Sequence, residues 1–247
     1  MTHKNSDWFV SWFDTSYYHL LYQNRNEAEA EFFLNNITEK LLIEQESKVW
    51  DMACGKGRHV NFLSKHGMHS CGTDLSVNSI EHAINNYNNL YAQFFVHDMR
   101  RPFRINYFDL VLNVFTSMGY FDRKRDDERV FIAAAQSMVR NGKFVVDFLN
   151  AKKVIAHLKP NETKIINDIQ FDLQRKITEK TIIKEISILD GENNFQFKEQ
   201  VRAYELNDFV ELGETAGLTL KETFGNYSLD IFDEKLSDRL IMVFTKQ

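Results

Sequence analysis

From residue 48 onward the chain alternates two patterns. Short apolar runs at residues 49–53, 70–74, 93–98, 108–114 and 144–149 read as strands. Between them, residues 58–66, 76–88 and roughly 126–139 carry apolar positions at helical spacing. Ser76 is placed to cap a helix start and Gly67 to end the preceding helix, while Asn141-Gly142 is expected to close the helix before the fifth strand. Strands apolar on both faces, separated by amphipathic helices, predict an α/β class fold, a doubly wound parallel sheet covered on both sides.

The flanks differ. Residues 7–22 are dense in rings (Trp8, Phe9, Trp12, Phe13, Tyr17, Tyr18, Tyr22), and residues 26–42 place Ala30, Phe33, Leu34, Ile37 and Leu41 on one face behind an acidic first turn. Two helices are expected there. After Pro160 the period drops to two. Runs at 165–173, 176–188 and 195–204 alternate apolar and polar residues, and Asp190-Gly191 is a hairpin turn. The expected organisation is an N-terminal helical lid (1–44), a core (45–160 and 205–247) and an antiparallel β insert (161–204). The insert is expected either to cap a site or to pair two copies as a homodimer. A short helix from Asn207 to Gly217, a sixth strand at 218–224 and a last strand at 239–246 complete the core.

Composition narrows the function classes. The chain has 247 residues, 43% of them hydrophobic and 13% aromatic, enough for one sizeable core. A net charge of −5 argues against a nucleic-acid partner, which calls for a basic surface. Cys54 and Cys71, the only cysteines, fall in expected core positions, which points to a reducing, cytoplasmic setting. No leader and no bilayer-length apolar run are read, so no membrane partner is expected. Nor is there a His/Cys cluster of ligand spacing, and no metal is expected.

The candidate chemistry lies at the strand ends, where doubly wound sheets bind ligands. The first strand ends in Asp51-Met52-Ala53-Cys54-Gly55-Lys56-Gly57-Arg58-His59. As a dinucleotide fingerprint this is poor, because Arg58 stands where the third glycine belongs, and no Gly-Lys-Ser/Thr closes a phosphate loop. What remains is acidic-x-small-x-Gly-x-Gly on Asp51, Ala53, Gly55 and Gly57. Asp74, followed by Leu75, lies about 20 residues beyond the turn, the distance at which an acid meets a ribose diol. At the third end, His97-Asp98-Met99 offers an acceptor for an adenine amino group and a thioether to pack on the ring. Asn113 and the loop that follows it close the fourth end.

The first turn resembles motif I of class I S-adenosylmethionine-dependent methyltransferases, and residues 48–150 are similar to their core. Phe115-Thr116-Ser117-Met118-Gly119-Tyr120 resembles a loop of small-molecule members related to amino-sugar N-methyltransferases. The resemblance implies a Rossmann-like, mostly parallel seven-stranded sheet with an antiparallel last strand, and S-adenosyl-L-methionine as cofactor. It also implies a cofactor-covering front segment with Tyr22 at the reactive end. Tyr22 and Tyr120 become the catalytic candidates, and His19, Ser117, Tyr120, Tyr227 and Arg239 the substrate-binding ones. His19, Tyr22, Tyr120 and His97 are the candidates for a general base. No Asn-Pro-Pro-Tyr/Phe motif stands at Asn113-Val114-Phe115-Thr116, which favours a small-molecule acceptor, an amine or a hydroxyl. Three readings stay open: such a methyltransferase, a non-catalytic S-adenosylmethionine-binding module, and a nicotinamide-dependent oxidoreductase.

Overall fold

A computed structural model describes residues 8–23 and 27–247. The seven-stranded sheet has the order β10-β11-β5-β4-β1-β2-β3. Its strands are β1 (Lys48–Met52), β2 (His69–Asp74), β3 (Ala92–Val96), β4 (Phe108–Asn113), β5 (Met138–Leu149), β10 (Leu218–Phe224) and β11 (Arg239–Lys246). Strands β1 to β5 pair in parallel, and β11 runs antiparallel to both β5 and β10. The chain crosses over beside β1, so the strand order reverses between β1 and β4 and a crevice opens at their carboxyl ends.

Alternation along the strands sends side chains to two cores. Trp50, Val111, Phe144, Val146 and Phe148 meet Phe131 of α6 (Lys124–Ser137) and Phe209 of α8 (Leu206–Thr215) on one face. Val49, Leu110, Leu112 and Val145 meet Phe33 and Ile37 of α3 (Glu27–Lys40) and Leu63 of α4 (Arg58–Lys65) on the other. Asp51 and Asp147 therefore project to the α4 side, two positions on from Val49 and Val145.

A second sheet, β6-β7-β8-β9, is antiparallel throughout: Asn161–Ile166, Ile169–Thr178, Thr181–Asp190 and Asn193–Arg202. One face carries Phe171, Leu173, Ile186 and Ile188, all buried under Trp12 and Leu21 of the front helices. The aromatic segment thus packs mainly on the second sheet.

Several expected boundaries shift. The front segment breaks into α1 (Trp8–Phe13) and α2 (Ser16–Leu21), because Thr15 caps α2 by accepting the Tyr18 N–H at 3.1 Å. The start of the first expected helix at residue 7 and of the second at 26 lies outside the described residues, as do 1–6 and 24–25. The runs at 165–173 and 176–188 each hide a two-residue turn, at Asn167-Asp168 and Glu179-Lys180; the first three of these residues have positive φ. Helix α6 ends at Ser137, and Asn141 (φ 65°) with Gly142 forms an irregularity inside β5 instead of a helix stop. His97 and Asp98 follow β3 instead of ending it.

Candidate active site

A cavity of about 800 Å³ opens at the carboxyl ends of β1, β2 and β4. Its floor starts at the glycine turn. Gly55 has φ +54°, and an added Cβ would meet nothing within 4 Å, so its backbone faces open space. Gly57 has φ +84° and the opposite surroundings: a Cβ there would lie 2.4 Å from the Phe94 ring. One glycine exposes backbone to the cavity; the other lets α4 press against the sheet.

Asp74 closes the floor from the end of β2. One carboxylate oxygen accepts the Gly55 N–H at 2.8 Å and the other the Ser76 N–H at 2.9 Å. Burial raises its pKa, against the pull of those amides. Each oxygen keeps a further lone pair, as two hydroxyl donors would use. Ser76 caps α5 (Val77–Asn86) by accepting the Ser79 N–H, and its hydroxyl donates to Asp14 of the front segment.

Beyond Asp74 the wall passes through Leu75, His97 and Met99. His97 Nε2 lies 3.0 Å from the Arg101 carbonyl. Asp98 is turned away: Arg100 holds both its oxygens, at 2.7–3.0 Å, and it does not line the cavity. Burial pushes its pKa up, but the Arg100 bonds outweigh this and the net shift is downward. Asn113 is fully buried at the end of β4; its amide nitrogen donates to Met99 Sδ at 3.5 Å. Its Oδ1 has no hydrogen-bond partner among the described residues. A buried acceptor left open beside a cavity-lining thioether suits a ligand bearing an N–H group.

The loop after β4 is held in an uncommon backbone conformation, with Phe115 and Thr116 at φ 59° and 60°. Asp147, fully buried, over-determines it. Its carboxylate accepts from the Phe115 N–H at 2.8 Å, Arg239 Nε at 2.7 Å and the Tyr227 hydroxyl at 3.2 Å. Arg239 also donates to Thr116 Oγ1 at 3.0 Å. Arg239 and Tyr227 therefore stand behind the loop and do not line the cavity. Further on, Gly119 donates to Asp127, which also accepts from Tyr204, and the Tyr120 hydroxyl donates to the Thr116 carbonyl.

The roof comes from α1, α2 and the loop after β4, with the second sheet behind the helices. Phe13, Tyr18, His19, Tyr22, Ser117 and Tyr120 all face the cavity. Phe13 meets Tyr18 at 4.8 Å and Tyr120 at 5.3 Å, centroid to centroid. The Tyr22 hydroxyl lies 2.7 Å from both oxygens of Glu199, which also accepts from Trp12 Nε1 and from Lys184. His19 has its pKa lowered, first by burial and then by the nearby Lys56 charge.

The residues singled out in the sequence thus divide. Tyr22, Ala53, Gly55, Asp74, Leu75, His97, Met99, His19, Ser117 and Tyr120 line the cavity; Asp51, Gly57, Asp98, Asn113, Tyr227 and Arg239 do not. Sequence reasoning passed over Asp147, Asp127, Glu199 and the Arg58–His59 pair. Asp147 had a readable signal, an acid inside the apolar run 144–149. Glu199 had none, since it sits in an alternating strand full of charges.

A family model described as a methyltransferase domain matches residues 49–142. No curated protein matches the chain by sequence. Among solved structures, a S-adenosylmethionine-dependent methyltransferase from Clostridium acetobutylicum superposes with a TM-score of 0.78 at 18% identity, covering 93% of this chain and 96% of that one. The CcbJ methyltransferase from Streptomyces caelestis gives 0.79 at 15%, covering 96% and 99%. An amino pentose methyltransferase from Micromonospora echinaspora, solved with S-adenosylmethionine bound, gives 0.72 at 14%, covering 94% and 98%. At these identities the likeness is one of fold, the Rossmann-like methyltransferase fold. The matched residues contain the glycine turn, Asp74, Met99, Asn113 and Tyr120; Tyr22, Asp147, Glu199 and Arg239 lie outside them.

Proposed function

We propose that the chain is an S-adenosylmethionine-dependent methyltransferase acting on an amine or hydroxyl of a small molecule. The observation that carries this reading is Asp74: a half-buried carboxylate pinned by the Gly55 amide at the edge of the cavity. Arg58 stands where a dinucleotide turn needs its third glycine, which counts against the nicotinamide reading. The residues present fit the cofactor. Asp74 would take the ribose hydroxyls, Leu75 and Met99 would pack on the adenine, and Asn113 Oδ1 is an open acceptor nearby. The small-molecule acceptor is inferred from the size of the cavity, about 800 Å³, and the net charge of −5. Two buried free thiols, Cys54 and Cys71, support a cytoplasmic setting.

When bound, the cofactor supplies a methyl carbon activated by a sulfonium. The chain's own part is to align the acceptor and keep water away. Phe13, Tyr18 and Tyr120 form a wall of rings that excludes water, and Glu199 with Lys184 fixes the Tyr22 phenol beside it. His19 is uncharged at neutral pH, since its pKa is lowered, so its imidazole is available to accept a proton from an incoming ammonium or hydroxyl.

Calorimetric titration tests the reading: S-adenosylhomocysteine should bind and NADH should not. Asp74→Ala should weaken that binding by about 1.5–3 kcal/mol, the scale of hydrogen bonds to a charged group. Unchanged affinity would remove Asp74 from the site. Methyl release from labelled cofactor over a panel of amines and hydroxyls then separates an enzyme from a silent binder.

A further inference from the structure

The roof side of the cavity is a surface of rings. Tyr22, Tyr18, Phe13 and Tyr120 form a continuous row, with neighbouring centroids 5.0, 4.8 and 5.3 Å apart. Successive rings are tilted by 54–64°, so none covers the face of the next. All four line the cavity and are only half-buried, so ring surface faces its interior. Phe9 and Phe121, in contact with each other at 5.7 Å, line it as well. Hydroxyls on this side are engaged within the protein: Tyr22 with Glu199, Tyr120 with the Thr116 carbonyl, and Ser117 with the Val114 carbonyl at 2.7 Å. His19 adjoins the row, its ring 5.4 Å from that of Tyr18, and faces the same space.

Such a surface takes up a flat apolar body, edge to face or offset, with centroids about 4.5–7 Å apart. A sugar would fit it poorly, since each of its hydroxyls asks for a partner and three hydroxyls of the wall already have one. A cationic acceptor is disfavoured too. It would share the cavity with Lys56, whose charge already bears on His19, and with the cofactor's sulfonium. We propose that the acceptor is a planar aromatic compound, lying against this row of rings and methylated at a phenolic hydroxyl, with His19 receiving the proton. This rests on the methyltransferase reading above and narrows its acceptor. Transfer forms an O–CH₃ bond and breaks the S–CH₃ bond, whose electron pair stays on sulfur, while the hydroxyl proton passes to the imidazole. The choice of a phenol follows from the base. Burial and Lys56 lower the His19 pKa against the pull of Asp14, with a smaller push from His82. A weak base draws a proton from a phenol, at about 10, far more readily than from an aliphatic hydroxyl near the value of water, about 15.7.

Calorimetry on the protein saturated with S-adenosylhomocysteine tests this with three probes. They are 2-naphthol, decahydro-2-naphthol, which keeps the hydroxyl and the size but not the planar rings, and glucosamine. 2-Naphthol should bind about 3- to 10-fold tighter than its reduced form and at least about 10-fold tighter than glucosamine. Phe13→Leu should bring the first ratio to within about 2-fold; its binding of S-adenosylhomocysteine checks that it remains folded. With labelled cofactor, label should appear in 2-methoxynaphthalene. The rate kcat should rise with pH through a value below the usual 6.5 of histidine, and His19→Gln should lower kcat and remove that dependence. Equal binding of 2-naphthol and its reduced form, tighter binding of glucosamine, or binding of 2-naphthol without transfer would overturn the proposal. Failure of the wild-type protein to bind S-adenosylhomocysteine at all would instead overturn the cofactor reading, and this acceptor with it.

Discussion

The floor and the roof of the cavity are built in different ways. The floor is local and made of backbone: the Gly55 N–H reaches Asp74 only 19 positions away, and both sit at the ends of adjacent parallel strands. The roof is non-local and made of side chains: Trp12 and Tyr22 reach Glu199 across 187 and 177 positions. The floor is therefore set once the sheet forms, while the roof exists only after the front helices have docked on the second sheet. Asp14, bonded to Ser76 and to Asn78, joins the roof to the floor. Under the proposed function this separates the tasks: the floor recognises a constant cofactor, and the roof shapes the space for the acceptor.

The largest expected effect lies behind the loop after β4, which Asp147 and Arg239 brace where the floor meets the roof. Arg239→Met leaves the fully buried Asp147 carboxylate unpaired and should cost about 3–5 kcal/mol of stability, read from urea unfolding. Loss of under about 1 kcal/mol would show that the loop after β4 does not depend on that pair. Gly57→Ala drives a methyl into Phe94 and forces an alanine to φ +84°; a loss of about 2–3 kcal/mol is expected in the same assay.

A pH effect of on the order of 2 kcal/mol should come from Asp127, whose carboxyl is lifted from 3.8 to about 6 by burial, partly offset by the Tyr204 and Gly119 bonds. Between those values the folded state holds the proton and the unfolded chain does not. Asp127 therefore contributes most stability below pH 3.8, and loses that contribution as pH rises through 6. Asp127→Asn should flatten this part of the stability curve; an unchanged slope would assign it to other groups.

The smallest expected effect sharpens the roof. Glu199→Gln removes the charge that holds Lys184 and Tyr22, and should lower kcat about 10-fold, or about 1.4 kcal/mol, with S-adenosylhomocysteine affinity kept within about 2-fold. Tyr22→Phe should move the same two quantities in the same way. A matching loss of cofactor affinity in either variant would mean that the roof and floor are not separate.

The floor was legible because strand ends, glycines and acids lie close together in the chain. Gly55, Gly57 and Asp74 could be placed from spacing, and the order of strands and helices in the core follows from period alone. Asp98 shows the limit. It stands at a strand end with the right chemistry, yet Arg100, two residues on, takes both its oxygens. Tyr227 and Arg239 show another limit: residues on a late loop and strand were read toward the acceptor, whereas Asp147, hidden in an apolar strand, draws both behind the loop. The turn at Glu179-Lys180 left no mark, since neither residue is a usual turn former.

What the chain alone determined is the set of patterns that repeat at short range: a parallel sheet wrapped by helices, an antiparallel segment after Pro160, and a glycine turn that leaves backbone open to a ligand. Only the tertiary structure decided which charged side chains face the cavity. Arg239 turns to Asp147 and Tyr22 to Glu199, because a buried carboxylate takes the partner nearest in space, and nearness between distant segments is fixed only when the layers pack.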